Sequence, residues 1–271
     1  MSNLVKFFYI GLLGIVMSAC SPQKQDNNSV SNADGSTVIK VGTEGTYDPF
    51  SYKNEKGELT GFDIEVLKEV AKREPSIKFE FIASPWDTLF PGLDADKFQM
   101  LANQITATPE RQQRYHLTEQ SYFNAVSQIA VKEGNPENIK TLEDLKGKKV
   151  GMGAGSNHTR FVEDWNNAHG KILNIVYYDG NLDVMLQDIA NGRIVATIND
   201  PIAIKGKAKA QNLKIDIVGD FLTKEPAKFI FKKDEKGLAL QQKIDAVLNK
   251  MKEDGTLTKM SVEQFGQDYT K

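Results

Sequence analysis

Residues 61–71 read Gly61-Phe62-Asp63-Ile64-Glu65-Val66-Leu67-Lys68-Glu69-Val70-Ala71. Phe62, Val66 and Val70, with Ile64, Leu67 and Ala71, recur at helical spacing against charged positions, the pattern of a helix that buries one face. Upstream lies a β-branched run closing on glycine, Val38-Ile39-Lys40-Val41-Gly42, then the loop Thr43 to Tyr52 and a turn at Asn54 to Gly57. Downstream, Ile77 to Ile82 reads as a strand. Pro85-Trp86-Asp87 opens a short helix to Leu93, and Phe98 to Ala102 is a further strand. Strands that alternate with helices at this spacing predict a parallel α/β sheet.

The same grammar starts again after Tyr122. Val126 to Lys132 alternates as a strand, Leu142 to Leu145 is a short helix, and Lys149-Val150-Gly151-Met152 is a strand ending in glycines. Helices at 157–168, 181–191 and from Pro201 through Lys209 alternate with strands at 172–178 and 194–198. Lys228 to Lys232 is a strand, Gly237 to Asp254 a long amphipathic helix stopped by Gly255, and a short helix around Ser261 follows. Two α/β units, with strands near Ser127 and Gly219 to join them, predict two lobes connected by two crossings. Their facing sheet ends form a cleft that closes by hinge bending. The expected division is 37–125 with 220–271 as the first lobe and 126–219 as the second.

Asn103-Gln104-Ile105-Thr106-Ala107-Thr108-Pro109-Glu110-Arg111 reaches a helix start: Thr108 as N-cap, Pro109 in the first helical position, an acid next. Arg111 then lies in the first turn, where the helix dipole disfavours a cation. A fixed guanidinium fork for a carboxylate, beside N–H groups that also favour an anion, explains it; so does an exposed or internally paired arginine.

The chain has 271 residues, 34 basic and 36 acidic side chains, and a net charge of −2. There is no basic field for nucleic acid. Lys6 precedes an apolar run, Phe7 to Met17, ending in Ser18-Ala19-Cys20, the layout of a secretory signal. Small residues before a lone Cys resemble a bacterial lipobox, which makes residues 1–20 a lipoprotein signal and Cys20 the lipidated first residue of the mature protein. Met17 stands where that pattern usually has Leu. Cys20 is the one cysteine, so a disulfide within the chain is excluded. Residues 21–36 are polar and rich in Asn and Ser; they read as a flexible tether spanning roughly 20–24 Å.

The stretch 61–71 resembles the signature of the extracellular solute-binding proteins, family 3, which deliver polar amino acids to ABC transporters; Glu74 departs from the apolar or small residue usual at its end. The resemblance runs from about Val38 to Phe265. It includes Gly45-Thr46-Tyr47-Asp48-Pro49-Phe50, Trp86-Asp87, residues 103–111, Leu145 to Gly151 and Asp254-Gly255-Thr256-Leu257. Ala102 to Thr106 and Gly155-Ser156-Asn157 are most similar to the cystine-binding branch.

The resemblance implies a two-lobed α/β binding-protein fold (type II) and a ligand, an L-amino acid with cystine the best match, held in the cleft. Arg111 would hold its carboxylate with help from Thr106, and Ser156 and Asn157 would approach that carboxylate from the second lobe. Asp200 would accept from the ammonium group; read alone, it is equally a helix N-cap before Pro201. Tyr47 and Trp86 would flank the ligand side chain, and Asn103 and Gln104 would supply amide donors and acceptors. His158 would line the site or equally lie on a helix surface, and Glu44, at the end of the same strand as the Tyr47 loop, would read the distal end of a long ligand. The implied partners are an ABC transporter permease and a membrane reached through the lipid anchor alone, facing the periplasm or cell exterior. The protein is expected to be monomeric and to need no cofactor.

Two enzyme readings compete. Gly151-Met152-Gly153-Ala154-Gly155 follows a strand and precedes a helix, yet its spacing is G-x-G-x-G, not the dinucleotide-binding G-x-G-x-x-G. A dehydratase or lyase on the same two-lobed fold, acting on a small carboxylate substrate, would need an acid poised over the reacting bond. Glu44 and Asp200 are the evident cleft acids, and Asp200 is already needed for the ammonium, so no enzyme is expected. His116, His158 and His169 show no metal-ligand spacing.

Overall fold

The computed structural model describes residues 30–31 and 35–271. The signal segment, Cys20 and most of the tether lie outside the described residues. In chain order the first part runs β1 (Val30–Ser31), β2 (Thr37–Thr43), β3 (Thr46–Tyr47), β4 (Ser51–Lys53), β5 (Leu59–Thr60), α1 (Phe62–Arg73), β6 (Ile77–Ala83), α2 (Trp86–Asp94), β7 (Met100–Leu101), α3 (Pro109–Arg114) and β8 (Tyr115–Leu117). The middle part is β9 (Phe123–Lys132), a 3-10 turn at Glu143–Leu145, β10 (Lys149–Gly153), α4 (Asn157–Ala168), β11 (Asn174–Tyr178), α5 (Leu182–Ala190), β12 (Ala196–Asn199), α6 (Pro201–Ala210) and β13 (Ile215–Ala227). β14 (Ile230–Lys232), α7 (Glu235–Glu253) and α8 (Thr256–Phe265) complete the chain.

These elements form two α/β lobes. The first is built on the sheet β1-β2-β7-β14-β8, with β6 on the other side of β2, and carries a small β3-β4-β5 sheet at its edge; the second is built on β11-β10-β12-β9-β13. The parallel expectation holds for β6 on β2, β2 on β7, and β10 with both β11 and β12. It fails at β14, which is antiparallel to β7 and β8, and at β9, antiparallel to β12. The sheets are therefore mixed. Chain direction explains this: β9 leaves the first lobe for the second and β14 follows the return strand, so both enter their sheets against the βαβ direction.

β13 is the element least visible beforehand. It pairs with β9 alone, along nearly the whole strand, with a register shift between Val218 and Thr223. Its position at the sheet edge tolerates Pro226, and its half-exposed residues hide the alternation that marks a strand. The expected lobe boundaries at 125/126 and 219/220 fall within this β9–β13 ribbon. Within the stretch read as tether, Val30 and Ser31 pair with Val38 and Thr37. β7 joins β2 only at Val41 and Gly42, so the start of that β2 edge is open to a partner.

α1 forms where the periodicity placed it, with Phe62, Ile64, Val66, Leu67 and Val70 buried. No side chain caps its start. Instead Phe62 and Asp63 donate their N–H groups to the carbonyls of Pro49 and Phe50, at 3.0 and 3.1 Å. Phe50, Phe62, Phe123 and Phe265 interlock beneath it with ring centroids 5.0–5.6 Å apart. Among the described residues no helix is long and apolar enough to cross a membrane.

Candidate functional site

The carboxyl ends of β2, β7, β10 and β12 converge where the lobes meet, and the residues singled out from sequence sit on the loops that follow them. β7 ends into residues 103–108, and α3 starts as expected: Thr108 Oγ1 accepts from Arg111 N at 3.2 Å, with Pro109 in the first helical position. Arg111 is only 7% exposed. Its guanidinium donates to the carbonyl of Thr106 at 3.0 Å and, across the lobes, to that of Gly155 at 3.1 Å. It also lies 5.7 Å from the Trp86 ring centroid and 5.1 Å from that of Phe90. Burial pulls its pKa down to about 10. Among the described residues no carboxylate forms an ion pair with it, and the adjacent Thr106 hydroxyl is fully buried with no hydrogen-bond partner. A buried cation without a carboxylate partner favours an anion.

Asp200 sits after β12 and is fully buried. Its Oδ1 caps α6 by accepting from Ile202 N at 2.8 Å, so the capping reading applies to one oxygen. Oδ2 accepts from Gln104 Nε2 of the first lobe at 2.9 Å. Burial pushes its carboxyl up to about 6. Gln104 itself has φ +49°, and its backbone N–H donates to Asp63 Oδ2 at 2.7 Å and to the Tyr122 hydroxyl at 3.2 Å.

Three more contacts cross the cleft or brace it. The Tyr47 hydroxyl donates to Asn199 Oδ1 at 2.7 Å, and Trp86 Nε1 to the carbonyl of Ala154 at 3.2 Å. Asn103 holds the β2–β3 loop: its Oδ1 accepts from Glu44 N at 2.8 Å, and its Nδ2 donates to Glu44 Oε2 at 3.3 Å. Ser156 caps α4 through Thr159 N at 3.0 Å, and Asn157 starts that helix. His158, buried, hydrogen-bonds Ser127 Oγ through Nδ1 at 2.6 Å; burial, then the Arg111 charge, pushes its pKa down to about 4 and keeps it neutral.

Among the described residues, cavities lie on either side of Ser156 where the lobes meet. An inner one of ≈ 40 Å³ is lined by Glu44, Tyr47, Trp86, Asn103, Gln104, Ser156, Asn157 and His158, with Met185, Asn199 and glycines 153 and 180. That is room for no more than a few waters. An outer one of ≈ 280 Å³ lies between Arg111 and the first turns of α4, and Ser156 borders both. Asp200 lines neither, so in this closed arrangement the two charges expected to clamp one ligand do not share a cavity. Sequence reasoning missed Asp63, Asn199 and Phe90. Asn199 directly precedes Asp200, which was singled out. Asp63 was legible only as an acid among buried positions of α1.

Comparison with known proteins places these residues in context. The model of the bacterial extracellular solute-binding proteins, family 3, matches residues 39–267. A probable amino-acid ABC transporter-binding protein of Haemophilus influenzae is 39% identical over 234 residues, 86% of this chain and 86% of its own. The L-cystine-binding protein TcyK of Bacillus subtilis is 32% identical over 256 residues, 94% of this chain and 93% of its own. A solved structure described as a putative L-cystine ABC transporter from Listeria monocytogenes matches with TM-score 0.77 and 32% identity, covering 86% of this chain and 98% of that one.

Proposed function

Because the chain belongs to the bacterial extracellular solute-binding proteins of family 3, we propose that it captures an L-amino acid, with cystine the foremost candidate, between its two lobes and hands it to an ABC transporter permease. The observation that carries this reading is the Arg111 guanidinium, buried without a carboxylate partner and bonded to the carbonyl of Thr106, whose own hydroxyl is unsatisfied. A ligand carboxylate would complete both groups, and the N–H groups around Ser156 would reach it from the other lobe. Asp200 would take the ammonium, Tyr47 and Trp86 would wall the side chain, and Asn103, Gln104 and Asn157 would present amides. Placing the carboxylate's partners and the ammonium's partner on different lobes makes ligand binding favour the closed state. The lobes are 37–125 with 220–271, and 126–219, with the β9–β13 ribbon as the hinge.

The dehydratase or lyase alternative gains little support. Asp200 is needed for the ammonium, which leaves Glu44 as the acid lining the inner cavity. The protein acts as a lipid-anchored monomer outside the cytoplasmic membrane, with Cys20 carrying the anchor; mass spectrometry of the native N-terminus without an acyl adduct would refute the anchor.

Calorimetric titration of the protein lacking residues 1–20 with the twenty amino acids and cystine tests the reading. Heat is expected with cystine, and Arg111→Ala is expected to weaken binding by about 2–5 kcal/mol. No heat with any amino acid, or near-native affinity in the variant, overturns it.

A further inference from the structure

Asp200 is the acceptor an ammonium would need, and in this structure a side chain of the opposite lobe already uses it. Gln104 Nε2 lies 2.9 Å from Asp200 Oδ2, and among the described residues it is the one side-chain donor to Asp200. The contact is held from behind. Gln104 adopts a left-handed backbone, φ +49°, which costs energy in a non-glycine residue, and the fully buried Asp63 secures it by accepting its N–H at 2.7 Å. Gln104 also lines the inner cavity, so its amide stands where a ligand in the cleft would meet Asp200.

We propose that the Gln104 carboxamide is an internal stand-in for the ligand's ammonium group: it donates to Asp200 across the lobes, and capture is an exchange in which the ammonium takes Asp200 Oδ2 as the amide swings away. This rests on the reading that Asp200 receives the ammonium of an amino acid. The amide satisfies the buried carboxylate without neutralising it. A charged donor makes the stronger bond, so an ammonium displaces the amide, whereas a carboxylate ligand lacking an amino group leaves the amide where it is. Gln104 thereby sets how strongly the site discriminates, since it spares Asp200 the loss of its partner when the wrong ligand enters. Asp63 is a positioning residue that acts through Gln104.

The test compares cystine with 3,3′-dithiodipropionate, which is cystine without its amino groups, on wild-type protein and Gln104→Met, by calorimetry. Methionine keeps the length and loses the donor. The ratio of cystine to dithiodipropionate affinity is expected to rise about tenfold in the variant, because Asp200 then keeps only its backbone donors when the ligand brings no ammonium. A ratio that is unchanged or falls makes Gln104 an ordinary ligand contact or a filler and overturns the proposal. Gln104→Asn keeps the amide on a side chain one methylene shorter and should also raise the ratio; a wild-type ratio there counts against the exchange, and this variant decides the matter if the methionine one does not fold. Absence of heat with cystine in the wild type would instead strike at the amino-acid reading itself.

Discussion

Asp63 has one oxygen committed to the Gln104 backbone and the other without a partner among the described residues, all inside a fully buried carboxyl. Burial pushes its pKa from an ordinary 3.8 to about 7. In this window the folded protein binds a proton that the unfolded chain has released, so the Asp63 contribution is most favourable below pH 4 and is lost as pH rises towards 7. Urea denaturation of wild type and Asp63→Asn across pH 4–8 should therefore show the wild type losing stability relative to the variant as pH rises, at up to about 1.4 kcal/mol per unit. A difference independent of pH would mean that Asp63 is ionised throughout. At this scale the sequence reached far for Arg111 and less far for Asp63. An arginine in a helix's first turn is visibly out of place, whereas an acid in an amphipathic helix looks like any solvated residue until the fold buries it.

At the scale of elements, the caps carry the site. Thr108, Ser156 and Asp200 each accept from the first turn of the helix they start, and each lies on a loop facing the cleft. Cap chemistry is local, so these starts were readable from composition alone. The start of α1 differs. Gly61 has φ +120°, and a Cβ there would lie 2.4 Å from the Phe50 carbonyl oxygen. The close approach lets the Pro49 and Phe50 carbonyls satisfy the helix's first N–H groups. Gly61→Ala is expected to destabilise the protein by about 1–3 kcal/mol in thermal or urea unfolding; a loss within a few tenths would show that the loop yields freely. β13 was not readable, because an edge strand with a register shift and a proline lacks the period-two pattern that marks buried strands.

For the whole molecule, closure rests on hydrogen bonds between lobes, among them Gln104 to Asp200, Tyr47 to Asn199, Trp86 to Ala154 and Arg111 to Gly155. Packing adds to them, since a Cβ on Gly180 of the second lobe would stand 2.9 Å from Trp86 Cδ1 of the first. Gly180→Val should act as a wedge. Its radius of gyration by solution scattering should exceed the wild-type value, and cystine binding should weaken by about 1–3 kcal/mol, the usual cost of overpacking. An unchanged radius with unchanged affinity would show that Trp86 moves aside and that this contact does not govern closure.

The sequence by itself determined the two α/β units, the helix starts and the residue types of the candidate site, because periodicity and capping depend on neighbours a few positions apart. Only the tertiary structure decided that the sheets are mixed, that Gln104 reaches Asp200 across 96 positions of chain, and that Arg111 and Asp200 border different spaces in the closed cleft. Those outcomes depend on how two lobes pack against each other, and contacts between residues so far apart leave no local pattern in the chain.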